Sequence, residues 1–172
     1  MRKIAIVGSG GAGKSTLARR LGEITGVEVF HLDRLFWRPG WIPISKDELA
    51  VSVQKIVCTD SWIIDGNYSG TMELRFQAAD TIIFLDFPLW TCLWGIFKRR
   101  LMYAGRTRPC MTEGCDEKLD LEFILWVLTF PFKRRKGIIE KLHKHSHGKD
   151  VFILKSRKAV CKFIVNIEVE NG

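Results

Sequence analysis

Apolar positions in this chain gather in short runs, many of them β-branched, each closing on a polar or glycine-bearing step. Lys3-Ile4-Ala5-Ile6-Val7 and Trp62-Ile63-Ile64-Asp65 are the plainest examples, and the pattern predicts strands near 2–7, 27–31, 61–65, 80–86 and 150–154. Each run is followed by a segment able to form a helix, beginning with Thr16-Leu17-Ala18-Arg19-Arg20-Leu21. Strands that alternate with helices imply an α/β domain whose sheet is parallel, because parallel neighbours need crossover connections that cover both faces. Ligands in such folds collect beyond the carboxyl ends of the strands. The residues that end each strand are therefore the first to inspect.

The step after the first strand is the most specific. Gly8-Ser9-Gly10-Gly11-Ala12-Gly13-Lys14-Ser15 fits G-x-x-x-x-G-K-[ST] without substitution and stands between a strand and a helix, where a phosphate-binding loop must stand. Its glycines let several backbone N–H groups close around an anion, and the positive end of the following helix adds to the field. Lys14 is expected to reach the β- and γ-phosphates of a nucleotide, and the Ser15 hydroxyl to ligate Mg²⁺. Thr16 completes the nucleotide-binding stretch.

Three strands end in Asp: His31-Leu32-Asp33, Ile63-Ile64-Asp65-Gly66-Asn67 and Leu85-Asp86. Asp65 is the candidate for holding a metal-bound water opposite Ser15, since Gly66 lets the backbone pass close to the phosphates. Asp33 is a second candidate site residue, whereas Asp86 precedes Phe87-Pro88 and reads as a turn former.

Composition sets the scale. The 172 residues, 47% hydrophobic and 27% charged, suit one compact domain rather than two or a disordered chain. The run Ile82–Phe97 is broken by Asp86 and Pro88, and Phe123–Phe132 falls well short of the roughly 18 apolar residues of a spanning helix. No membrane partner is expected from either. Met1-Arg2-Lys3 leads directly into the first strand with nothing that resembles a signal peptide, so a cytoplasmic location and reduced thiols for the five cysteines are expected. Neither Cys110 with Cys115 nor His143, His145 and His147 has the spacing of a zinc site.

Charge is uneven. Between Lys98 and Lys158 stand 16 Lys and Arg against 7 Asp and Glu, so the whole formal excess of +8 lies in the second half. The basic clusters either close over a polyphosphate or form a surface for nucleic-acid backbone. Segment 104–118, with two glycines, a proline and no apolar periodicity, reads as an exposed excursion of the length of an active-site lid. Arg106 and Arg108 in it are candidate catalytic arginines. Phe36, Trp37 and Trp41 follow Asp33 closely and either wall an acceptor pocket by stacking on a base or pack that region down. Trp90, Trp94 and Trp126 fall in helical stretches and read as core.

The Gly8–Ser15 loop, His31-Leu32-Asp33 with Trp37-Arg38-Pro39-Gly40-Trp41, Trp62-Ile63-Ile64-Asp65-Gly66-Asn67-Tyr68, and Gly105-Arg106-Thr107-Arg108-Pro109 together resemble the bacterial DNA topology modulation protein family. That family is similar to P-loop kinases related to adenylate kinase, and its name describes a phenotype rather than a reaction. The resemblance covers about residues 1–160. It implies a three-layer αβα fold with a five-stranded parallel sheet in order 2-3-1-4-5 and a lid. It also implies ATP and Mg²⁺ on Gly8 to Thr16, and lid arginines at Arg106 and Arg108.

Departures from the pattern concern the acceptor. Asp65-Gly66 matches the start of the Asp-Gly-Phe-Pro-Arg element of adenylate-kinase-like enzymes, but Asn67-Tyr68-Ser69 does not continue it, and Arg75 is the candidate replacement for its phosphate-holding arginine. Cys110 stands where an acidic residue is expected. In the similar shikimate and gluconate kinases an Asp after the second strand orients the substrate hydroxyl, and Asp33 fits that place. Two function classes remain. One is a phosphotransferase moving the γ-phosphoryl of Mg·ATP to a nucleoside monophosphate or small hydroxylated acceptor; the other is a nucleotide-dependent nucleic-acid-binding regulator with slow ATPase activity.

Overall fold

The computed structural model describes residues 1–118 and 120–171. Five strands form one parallel sheet: β1 (Lys3–Gly8), β2 (Val29–His31), β5 (Trp62–Asp65), β6 (Thr81–Leu85) and β7 (Asp150–Leu154), in the spatial order β2-β5-β1-β6-β7. Counted among themselves along the chain these are 2-3-1-4-5, and every predicted strand is present. The two remaining strands, β3 (Trp37–Arg38) and β4 (Ile42–Pro43), make a small antiparallel hairpin. Its tip carries Gly40 at φ 79° and Trp41 at φ 62°, the backbone region that glycine favours and tryptophan rarely adopts.

The period of the strands divides the core in two. Ala5 and Val7 of β1 face one side and Ile4 and Ile6 the other, and all four are fully buried. On the first side α3 (Lys46–Val57), α4 (Ser69–Ala78) and α7 (Arg135–His145) pack Leu49, Val53, Phe76 and Leu142 against the sheet. On the second, α1 (Lys14–Thr25), α5 (Leu89–Met102) and α8 (Arg157–Asn171) contribute Leu17, Leu21, Cys92, Ile96, Phe163 and Ile167. The short α2 (Leu32–Phe36) follows β2, and α6 (Leu121–Lys133) adds Val127 and Phe130. Among the described residues no helix is long and apolar enough to cross a membrane.

Two expectations are corrected here. Trp90 and Trp94 are exposed, because α5 turns Cys92 and Ile96 inward and these tryptophans lie on its opposite side; Trp126 does pack, between Phe123 and Phe130. Segment 104–118 is not a free excursion. Thr107 and Asp116 form a bridge, Glu117 N donates to Arg106 O at 3.1 Å, and Met111, Cys115 and Glu117 are buried. Tertiary pairing of its two ends supplies the order that the local sequence lacks.

Asp86 leaves β6 and accepts both Nε and Nη2 of Arg135, at 2.8 and 2.9 Å, fastening the start of α7. Glu73 does the same further along α7, accepting from Lys141 and His145 at 2.9 Å each and from Lys144. Lys144, then Lys141 and His145, hold its carboxyl down to about 2 from an ordinary 4.5. A carboxyl whose pKa is depressed by folding stabilises the fold above its unfolded pKa and loses that contribution as pH falls through the folded value. Glu73→Gln should therefore melt slightly below the parent at pH 7, with the gap closing between about pH 4.5 and 2. Thermal melts of both proteins across that range check it; a gap that does not depend on pH would mean that Glu73 acts by packing.

Candidate functional site

The register of the sheet assembles the site. Ile6 pairs with Asp65, His31 pairs with Asp65 and Gly8 pairs with Leu85, so the ends of the central strands lie side by side. Gly8 is at φ 150° and a Cβ there would stand 2.7 Å from Leu85 O; Gly11 and Gly13 are at 76° and 91°. These values need glycine, and they bend the loop so that α1 starts at Lys14 with no side chain capping it. The first-turn N–H groups are left for an anion.

The loop is held firmly. A Cβ on Gly10 would stand 2.6 Å from the ring of Phe123, and one on Gly11 would stand 2.1 Å from Cys92 O, so α6 and α5 press on it from behind. In front, Gly8 N donates to Asn67 Oδ1 at 3.0 Å while Asn67 Nδ2 returns a bond to Gly8 O. Asn67 breaks the adenylate-kinase pattern, and here its amide clasps the first residue of the loop. Lys14 Nζ donates to Gly8 O and Ser9 O, at 2.9 and 3.0 Å. Burial lowers its pKa, against the opposing pull of Asp65 and Asp33.

Asp65 is the hub. Its side chain is 4% exposed; Oδ2 accepts from Ser15 Oγ at 2.7 Å and Oδ1 meets His31 Nδ1. A hydroxyl and a buried carboxylate at the mouth of a phosphate loop are hard oxygen donors, and this pair fits Mg²⁺. His31 was the partner that sequence reasoning passed over, although it ends the second strand beside Asp33.

Opposite the loop, a cavity of about 1530 Å³ opens. Lys14, Ser15, Thr16 and Gly66 line it on the loop side, and Asp33, Phe36, Trp37, Trp41 and Tyr68 on the other. Tyr68 OH donates to Asp33 Oδ1 at 3.1 Å; burial first, and then the charge of Asp33, raise the tyrosine pKa. Phe36 meets Trp37 edge to face at 5.0 Å, Trp37 meets Trp41 edge to face at 5.4 Å, and Phe36 lies tilted against Tyr68 at 4.8 Å. The predicted lid is docked on this side: Gly40 N donates to Gly114 O, Thr112 Oγ1 to Arg34 O, and Trp41 Nε1 to Asp116 O, between 2.8 and 3.1 Å.

The cations are only partly those expected. Arg108 lines the cavity, but Arg106 is exposed and absent from its wall, with its backbone used to pair the two ends of segment 104–118. Arg99 takes a place there instead. Glu117, itself buried, joins the two, with Arg99 Nε at 2.7 Å from Oε1 and Arg108 Nε at 2.7 Å from Oε2. Burial and the like charge of Arg108 lower the pKa of Arg99, and Glu117 opposes that. Without the carboxylate the two guanidiniums would repel each other in a water-poor place. Arg134 also lines the cavity, over the ring of Trp126 at 5.0 Å. Cys110 lines it beside Arg108, 3.9 Å from Nη1.

Arg75 is in the wrong place for the acceptor. It is fully buried and absent from the cavity wall, and it donates to Gly66 O at 3.1 Å and to Thr71 O and Tyr68 O at 3.3 Å. Its position on α4 points it under the 66–68 turn, where it holds the backbone that presents Asn67 and Tyr68. Burial lowers its pKa to about 10.

No family model and no curated protein sequence matches the chain. Solved structures do. Shikimate kinase from Acinetobacter baumannii, in complex with shikimate, superposes with a TM-score of 0.62 at 17% identity, over 97% of this chain and 90% of its own. A sugar kinase from a Janibacter species, unliganded, gives 0.50 at 14% identity over 99% and 91%. A chain from Chloroflexus aurantiacus with a provisional kinase assignment gives 0.52 at 12% identity over the full length of both. The architecture is therefore that of the P-loop kinases.

Proposed function

We propose that this chain is an ATP-dependent kinase of a small hydroxylated acceptor. The observation that carries the reading is Asp33: its carboxylate lines the same cavity as the phosphate loop, close enough that its charge favours the protonated forms of both Lys14 and Arg99. A hydroxyl bound between Asp33 and the loop would face the γ-phosphoryl in line, with Lys14, Arg99 and Arg108 neutralising charge on the transferring group. Ser15 and Asp65 would hold Mg²⁺, which supplies further charge neutralisation when bound.

The nucleoside-monophosphate alternative loses support because Arg75, its phosphate-holding candidate, is committed to backbone carbonyls. Direction of the cations also bears on the nucleic-acid reading that the resemblance to the topology modulation family raises. An outward stripe would favour it, whereas Arg99 and Arg108 meet at Glu117 on the cavity wall and Arg134 lines that cavity over Trp126, while Arg106 alone of the four is exposed and outside it.

A coupled ADP-release assay with Mg·ATP over a panel of nucleosides, nucleoside monophosphates and hydroxylated metabolites tests the proposal. Strong stimulation by a hydroxyl acceptor supports it, and slow release unchanged across the panel overturns it in favour of the regulator. With the acceptor in hand, Asp33→Asn should lower kcat by roughly 10² and leave the KM for ATP in place. The loss sits at the low end for a general base because a loose phosphoryl transition state asks little of one. A KM effect alone would make Asp33 a binding group rather than a base.

A further inference from the structure

The exposed face of α5 and α6 has no role in the kinase reading. Trp90, Trp94, Phe97 and Leu101 follow one another at steps of four, three and four residues on α5, and Leu121, Leu125 and Phe132 fall on one line of α6 at steps of four and seven. Such spacing keeps each set on a single narrow stripe. Both stripes are open: Trp90 is 80% exposed, Leu121 77% and Phe132 83%. The opposite sides of the same helices, Cys92 with Ile96 and Phe123 with Val127, are the ones that press on Gly11 and Gly10. The apolar stripes therefore look away from the loop.

Size sets this face apart from ordinary surface. At 150–250 Å² for a whole aromatic side chain, the exposed parts of the four rings alone amount to about 500 Å². The largest apolar patch of a typical monomer is about 300–600 Å² in all, and here Leu101, Leu121 and Leu125 are still to be added.

Charge selects the occupant. Helix α5 contains no acidic residue and α6 only Glu122, while α5 ends in Lys98-Arg99-Arg100 and α6 runs into Lys133-Arg134-Arg135-Lys136. Lys98 and Lys133, at the rim of the cavity, are exposed with no carboxylate partner among the described residues, and Lys136, 86% exposed and outside the cavity, has Glu140 only at 3.9 Å. A second copy meeting this face would bring cationic ends together, and a nucleic-acid backbone would leave the tryptophans and Phe132 in water. An apolar layer beneath a negative surface satisfies both halves of the face.

We propose that the α5–α6 face is a docking surface for an anionic lipid bilayer, on which the two helices lie in the interfacial region with their rings inserted and Lys98, Lys133 and Lys136 at the headgroups. Among the described residues no helix is long and apolar enough to cross the bilayer, and lying on its surface needs no such length. Nothing in the inference depends on the acceptor or on catalysis.

Co-sedimentation of the full chain with vesicles tests it. Binding is expected to phosphatidylcholine vesicles containing phosphatidylglycerol and not to phosphatidylcholine alone, with a blue shift of tryptophan emission. Trp94→Ser combined with Phe132→Ser should weaken binding by roughly tenfold or more, since each ring carries enough apolar area for about that. Both positions are exposed, so the melting temperature should hold. No sedimentation with the anionic vesicles would overturn the proposal, as would binding that survives the double variant and vanishes in salt. A lipid-free dimer that the same variant converts to monomer would assign the face to a second copy instead.

Discussion

Lys14→Ala is expected to lower acceptor-stimulated ADP release by roughly 10³ or more while leaving the melting temperature within a few degrees of the parent. Lys14 Nζ rests on Gly8 O and Ser9 O, a position from which it has only to swing outward to meet the β- and γ-phosphates. It is half-buried at the cavity wall, desolvation of its ammonium lowers its pKa, and Asp65 with Asp33 supports its charged form. A cation held in such a place acts on transferring charge at low effective dielectric, which is why its loss costs far more than a surface lysine would. Stability should change little for two reasons. Removing a half-buried charge also removes its desolvation cost, and the two carbonyls released keep other donors, Gly8 O the amide of Asn67 and Ser9 O the N–H of Ala12. Circular dichroism melts and the coupled assay on one preparation separate the two effects. Turnover near the parental rate would remove Lys14 from the chemistry.

What the sequence could and could not disclose follows from the range of the interactions involved. The five strands were legible because each is an apolar run bounded by turn residues, and the loop because its eight positions are contiguous. The β3–β4 hairpin left a signal in Pro39-Gly40 that could have found it. Glu117 left none. Its place depends on Arg99, 18 residues away, and on a segment whose ends pair through Thr107 and Asp116, so nothing local marks it. Arg106 and Arg108 illustrate the same limit. They are two residues apart and alike in composition, and the bridge at Thr107 sends one outward and the other to the cavity. Trp90 and Trp94 read as core by the rule that aromatic residues in a helix usually are, but that rule says nothing of which face the sheet will cover.

Arg75 offers the sharpest separation of a structural role from a functional one. Arg75→Met keeps length and apolar volume but leaves the buried Gly66 O without its donor, while Tyr68 O keeps the N–H and hydroxyl of Thr71 and Thr71 O keeps its place in the ladder of α4. An apolar replacement is harmless only where both partners become apolar, and here one buried carbonyl stays behind. The cost should be about 1–3 kcal/mol. For a chain of this size that is a fall in melting temperature of about 3–10 °C. Arg75→Lys should recover only part of this, because one ammonium cannot span three carbonyls as a guanidinium does. At a temperature where the variant is still folded, the KM for the acceptor should stay near the parental value, since Arg75 takes no part in the cavity wall. Asn67 and Tyr68 ride on the turn it fixes, so a moderate loss of kcat is expected with the loosened fold. The opposite result, an unchanged melting temperature with a raised acceptor KM, would return Arg75 to the acceptor phosphate and with it the nucleoside monophosphates to the list of substrates.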